Sequence, residues 1–344
     1  MRRLLLLCLS CLFAAPVFAA DPCPLLRSQT GAADIATRIA AVACKENQDW
    51  YRTFIDENGR SGGVPVYEAE NSRLADGTEA WRKVAGYWNG SGMLGSVSNR
   101  AGAGECAYAA TMPYPSPACR SFLIDTPWSA AFVSWVMVQA GVPGFRRSAS
   151  HVDYVRQAYR DPVQSPYRIQ APASGKPAPG DMLCYVRMSS RIFGYGELAN
   201  LLSLPDGSGL AMHCDIVVGA MLGDRAYLVG GNVQQAVTLR MLKLDMRGYF
   251  ADLPARTLSD LECSPNTPEY CNANRQDWAV MLKLRPANEL AQLAPPMPPP
   301  GTPAQPAAPQ HCVEVAGGMQ VCSPSPESPV AVPQPQQLPQ PPQP

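Results

Sequence analysis

The stretch "DTPWSAAFVSWVMVQAG", residues 125–141, decides the fold, and it reads as a helix. Asp125 or Thr126 can cap it, Pro127 suits its first position, and Gly141 with Pro143 ends it. Trp128, Ala131, Phe132, Trp135 and Val138 recur on one stripe, so the spacing predicts a buried face there, with Ser129 and Val133 beside it. Ser129 then stands in the first turn at the edge of a core. Free backbone N–H groups at that place favour negative charge, which suits a nucleophile. A serine that only satisfies those amides fits the same position.

A nucleophilic hydroxyl needs a base, and the chain has three histidines. His311 sits far downstream in a Pro-rich region. His213 opens "HCDIVVGA", a strand by its alternation, with His213, Asp215 and Val217 on one face and Cys214, Ile216 and Val218 on the other. A sheet-mounted His near a helix N-terminus is a suitable general base. Asn232, in "YLVGGNVQQAVTL", is a candidate to orient it, or is simply a turn residue after Gly230 and Gly231. Asp215 is a weaker candidate, because side chains two apart on one strand seldom point at each other. His151 opens another helix, "SASHVDYVRQAYR", capped by Ser148 or Ser150. The pairs "HVD" and "HCD" raise a zinc site, but neither follows a usual metal-ligand spacing, so no metal and no cofactor are expected.

Around these motifs, "GDMLCYVR", "HCDIVVGA", "RAYLVGG" and "AVTLRMLKL" are short, β-branched and turn-bounded, which predicts strands. Helices followed by a run of strands predict an α+β fold with an antiparallel sheet. Upstream, residues 30–54 and 77–88 read as helices and 89–120 as irregular. Residues 21–120 thus form a helical and irregular extension packed on a core domain at 121–290.

The ends of the chain differ from this core. Residues 1–20 carry Arg2 and Arg3, an apolar run and "VFAA", the pattern of a cleaved export signal too short to span a bilayer. Residues 291–344 are a Pro/Gln-rich tail, with 17 of the 36 prolines from 295 onward. Its island "CVEVAGGMQVC" suggests a hairpin closed by Cys312 and Cys322. The tail is either a spacer or a segment that binds an envelope partner.

Ten of the 12 cysteines survive signal cleavage, an even number that suggests disulfides in an exported chain. Nearest-neighbour pairing is the simplest scheme: Cys23 with Cys44, Cys106 with Cys119, Cys184 with Cys214, Cys263 with Cys271, and Cys312 with Cys322. The 28 basic and 28 acidic residues cancel, and loss of Arg2 and Arg3 leaves a net charge of about −2, which argues against a nucleic-acid partner.

In order and spacing, "PWSAAFVSWVMVQAG", "PGDMLCYVR", "MHCDIVVG" and "YLVGGNVQQAVTLR" resemble the signature of the NlpC-type and CHAP-type cell-wall hydrolases, and more closely an uncharacterised bacterial domain family related to them. The resemblance implies a papain-like α+β fold and a periplasmic or extracellular hydrolase of peptide or amide bonds in peptidoglycan. Ser129 takes the place of that superfamily's cysteine, His213 of its histidine and Asn232 of the polar residue that orients it. Trp128, His151, Tyr154, Arg187 and Asp215 are expected at the substrate cleft, with peptidoglycan or wall peptides as the partner. Serine in place of cysteine leaves an alternative: a wall-binding module of the same fold without catalysis.

Overall fold

The computed structural model describes residues 21–205, 209–220, 224–250 and 252–295, and the backbone of 310–315 and 319–324. The expected export signal lies outside these residues. The chain forms two compact units, Met1–Pro300 and Gly301–Pro344. In the second, strands β8 (Gln310–Val315) and β9 (Met319–Pro324) pair antiparallel with Cys312 opposite Cys322. The side chains of that expected disulfide lie outside the described residues.

In chain order the first unit contains α1 (Cys23–Leu26), α2 (Ile35–Asp49), β1 (Phe54–Ile55), α3 (Ala80–Ser91), α4 (Ala103–Cys106), α5 (Pro117–Asp125), α6 (Ser129–Gln139) and α7 (His151–Arg160). Then come β2 (Tyr167–Gln170), β3 (Met182–Val186), α8 (Gly194–Ser203), β4 (Met212–Ala220), β5 (Arg225–Val233), β6 (Ala236–Lys243), β7 (Asp277–Leu284) and α9 (Ala287–Leu290). This is an α+β fold. Its seven-stranded sheet has the order β1-β6-β5-β4-β3-β7-β2, antiparallel except where β1 lies parallel to β6. β1, β2 and β7 join the four strands read from the sequence.

Local chemistry sets the helix ends. Asp34 caps α2 by accepting the Thr37 N–H at 2.8 Å, and Ser116 caps α5 through the Cys119 N–H at 3.0 Å. α2 stops at Asp49, short of the expected Phe54, because Tyr51 and Arg52 both take left-handed backbone. Asp125 and Thr126 do not cap α6. Asp125 instead ends α5, a helix that begins inside the stretch 89–120 expected to be irregular, and Trp128 is the residue before the first turn of α6.

α6 is also not a one-sided helix. Ala130, Val133 and Val136 are buried along with the expected stripe, while Trp135 and Val138 are only partly buried. The reason is its central place: it packs on β4 and β5, with α3 and α2 against its other sides. Trp50 and Tyr87, from the end of α2 and from α3, stack on Trp128 at 6.0 and 5.4 Å between ring centroids. Residues 21–120 therefore supply part of the same core.

The strands separate two cores. Cys214, Ile216 and Val218 of β4 join the helix side, and Val217 joins a smaller cluster with Leu183, Leu228 and Trp278 on the opposite face. Four disulfides close the expected neighbouring pairs: Cys23–Cys44, Cys106–Cys119, Cys184–Cys214 and Cys263–Cys271. No helix among the described residues is long and apolar enough by itself to cross a membrane. The disulfides are consistent with an exported protein.

Candidate active site

The first turn of α6, the start of α7 and the start of β4 converge. Ser129 Oγ lies 2.8 Å from His151 Nε2. The base nearest the hydroxyl is therefore the helix-borne His151, which the sequence had placed only at the substrate cleft. His213 stands beside it, with 5.2 Å between the two imidazole centroids, and its Nε2 is 2.7 Å from Asp215 Oδ1. Asp215 thus takes the orienting position that residue spacing had argued against. Side chains at i and i+2 share a strand face, and here both are buried, so the pair satisfies polar groups withdrawn from solvent.

Gly230 provides the room. A Cβ there would come within 1.9 Å of Asp215 Oδ1 and 3.0 Å of His213 Nε2. A Cβ on Gly231 would meet the Phe132 ring at 2.5 Å. The "GG" before Asn232 is thus a close-approach segment inside β5, not a turn.

Asp215 is held from a second side. Arg240 Nε donates to Asp215 Oδ2 at 2.9 Å, reaching across β5 from β6. Arg240 Nη1 donates to Ala273 O at 2.7 Å and Asn274 Oδ1 at 2.8 Å. Burial works against the Asp215 carboxylate, but His213 and Arg240 outweigh it and hold the group at about 2. Arg240 escaped the sequence reading. The available signal was one cation, Arg240, in the apolar run "AVTLRML" and one acid in the apolar run "HCDIVVGA", opposite charges that cannot stay buried unpaired.

Asn232 does not orient His213. With its amide turned to suit its neighbours, it accepts the Trp128 N–H at 3.1 Å and donates to Glu68 Oε2 at 3.0 Å. Glu68 also accepts from Trp128 Nε1 at 2.6 Å, and burial pushes its carboxyl up. This pair satisfies an amide at the head of α6 that no side chain of the helix reaches. Asn232 has φ 55°, and the β5–β6 turn residues Gln234 and Gln235 have φ 56° and 61°. Three non-glycine residues in left-handed backbone thus lie together beside the site.

Trp128 and Tyr154 do not line a cleft. Trp128 is fully buried in the aromatic stack. Tyr154 Oη lies 2.5 Å from Ala130 O, 2.6 Å from Ser148 O and 2.8 Å from Ser134 Oγ, tying α7 to α6. An open cleft of about 340 Å³ lies alongside, lined by Tyr185, Arg187, His213, Asn232, Gln234 and Arg240 among others. Ser129 is 5% exposed.

Burial holds the His151 imidazole well below its ordinary value of 6.5. His213 and Arg187 push it the same way, and Asp215 opposes them. A neutral imidazole can accept the Ser129 proton near pH 7. Among the described residues His151 Nδ1 is buried without a hydrogen-bond partner, and no third residue there fixes the tautomer of the Ser129–His151 pair. Among the described residues, no cluster of three or more His, Cys, Asp and Glu side chains could hold a metal ion.

The family model described as "Uncharacterized protein conserved in bacteria (DUF2272)" matches residues 75–284, more than half of the chain, and the chain belongs to that family. The match includes every residue of the constellation except Glu68. No curated protein and no solved structure matches the chain.

Proposed function

We propose that this DUF2272 member is an exported hydrolase of peptide or amide bonds in the bacterial cell wall, built on a papain-like core, with Ser129 as nucleophile and His151 as base. One observation carries the chemistry: a helix-head hydroxyl 2.8 Å from an imidazole that burial keeps neutral. His151 Nε2 takes the Ser129 proton as Oγ bonds to the substrate carbonyl carbon. The same proton passes to the leaving nitrogen as the C–N bond breaks. Water then attacks the acyl-enzyme, its proton going to His151 and from there back to Ser129 Oγ. Asn232 and Glu68 set the first turn of α6, and Asp215 with Arg240 holds His213 at the cleft wall.

The wall substrate rests on the resemblance of the "PWSAAF", "MHCD" and "GGN" segments to NlpC-type and CHAP-type hydrolases. Export rests on the leader-like residues 1–20 and the disulfides. The test is mass spectrometry of purified peptidoglycan after incubation with the mature protein, with Ser129→Ala alongside. New fragments from the wild type alone support the proposal and identify the bond. Equal fragments from both proteins, or none from a folded wild type, reject it.

A second reading is a wall-peptide binding module without turnover. It is favoured by the small exposure of Ser129, next to a cleft lined by His213, Asn232 and Arg187. It predicts retention of wall fragments by wild type and Ser129→Ala alike, with neither cutting them.

A further inference from the structure

The cleft beside His213 carries an unbalanced positive charge. Its lining includes Arg187 and Arg240, and no carboxylate among the described residues. Arg240 is committed, with Nε on Asp215 and Nη1 on Ala273 and Asn274. Arg187 is not. Its backbone N–H donates to Ala211 O, its side chain is exposed, and among the described residues its guanidinium has no hydrogen-bond or ion-pair partner. The amide side chains of Asn232, Gln234 and Gln276 border the same space.

An open guanidinium fork, bordered by neutral amides and free of competing acids, is complementary to a carboxylate. We propose that this cleft binds the terminal carboxylate of a peptide, with Arg187 as its counter-ion, so that Arg187 selects peptides that end near the bond to be cut. This deepens the proposed function and rests on it for the peptide's source and for the bond cut, but not for the binding of the carboxylate.

Binding there has a consequence for the neighbouring pair. The Arg187 charge opposes protonation of His151, and a bound carboxylate offsets that charge. The imidazolium that forms during attack is then opposed less when a carboxylate-bearing ligand occupies the cleft.

The experiment titrates N-acetyl-D-alanyl-D-alanine, and separately its C-terminal carboxamide, into the mature full chain carrying Ser129→Ala, by isothermal calorimetry. The acid is expected to bind about tenfold more tightly than the amide, the scale of one charge-assisted contact. Arg187→Gln on the same background brings the acid to within about twofold of the amide, with an unchanged circular dichroism spectrum. Three results overturn the proposal: equal affinity for acid and amide, a preference that survives Arg187→Gln, or no binding of the acid up to about 10 mM. Because this background lacks Ser129, the result is independent of turnover. A carboxylate preference without hydrolysis by the wild type rejects the proposed function alone, and hydrolysis without the preference rejects the carboxylate site alone.

Discussion

Ser129 Oγ and His151 Nε2 are 2.8 Å apart, which joins the first turn of α6 to the first turn of α7. The two residues act as a unit if Ser129 attacks. His151→Ala then lowers kcat/KM for fragment release by about 10²–10⁴-fold. The double variant with Ser129→Ala is no slower than Ser129→Ala alone. Additive losses in a double-mutant cycle would separate the two.

The depressed His151 pKa has a consequence for activity. A base must be neutral to work, so the acid-side inflection of kcat/KM set by His151 lies below pH 6.5. A pH–rate profile with that inflection at or above 6.5 would contradict the assignment.

The same shift acts on stability. Below pH 6.5 the unfolded chain binds a proton at this residue that the folded chain refuses. The folded state is therefore favoured as pH rises to 6.5 and loses that advantage as pH falls below it, by up to about 1.4 kcal/mol per pH unit. Glu46, Glu68 and Asp181 are shifted upward by burial and slope the other way, so the test is a difference. Urea midpoints of wild type and His151→Gln, compared from pH 5 to 7, should change in the wild type's favour with rising pH. A constant difference would show that His151 is not buried as a neutral group.

Asp215 is buried against two side-chain partners, His213 and Arg240. Asp215→Asn leaves Arg240 without its counter-charge in a buried site and costs about 3–5 kcal/mol in denaturant unfolding. The wild-type contribution is present above the unfolded carboxyl value of 3.8 and fades as pH falls toward about 2. A loss below about 1 kcal/mol would mean that Arg240 finds another partner.

Away from the site, Lys83 Nζ meets Glu46 at 3.1 Å, Asp49 at 3.0 Å and Asp76 at 2.9 Å. Lys83→Met leaves Glu46 and Asp76 without an ion-pair partner among the described residues, and Asp49 with Lys45 alone, and should cost about 3 kcal/mol at pH 7. Lowering the pH toward 5 should reduce that cost as Glu46, whose carboxyl burial pushes up, takes up a proton. A pH-independent cost would point to lost packing instead.

Cys184 and Cys214 are register partners on β3 and β4, one position from Tyr185 and His213. Replacing both by Ala opens a 30-residue loop and should cost about 3 kcal/mol in thermal or urea unfolding. A double variant as stable as wild type would show that the sheet alone holds this pair of strands.

Much of the scaffold was legible because its signals are local. Alternation marked β3 to β6, small spacings paired four disulfides correctly, and Gly141 closes α6 in left-handed backbone. Helix edges slipped where long-range contacts overrode local pattern. α2 ends early at two left-handed residues, and α6 starts at Ser129 because Asn232, 104 positions downstream in the chain, holds the amide before it.

By itself the sequence determined the α+β class, the placing of Ser129 in the first turn of a core helix, and the sharing of one strand face by His213 and Asp215. Each follows from the 3.6- and 2-residue periods of the backbone, which neighbouring residues reveal. Only the tertiary structure decided that His151 meets Ser129, that Asp215 and Arg240 hold His213, and that Asn232 serves a helix head. Those pairings depend on how far apart whole elements settle when α6 is buried between the sheet and α3. A difference of a few ångströms there, set by the glycines of β5 and the aromatic stack on Trp128, selects one imidazole over the other.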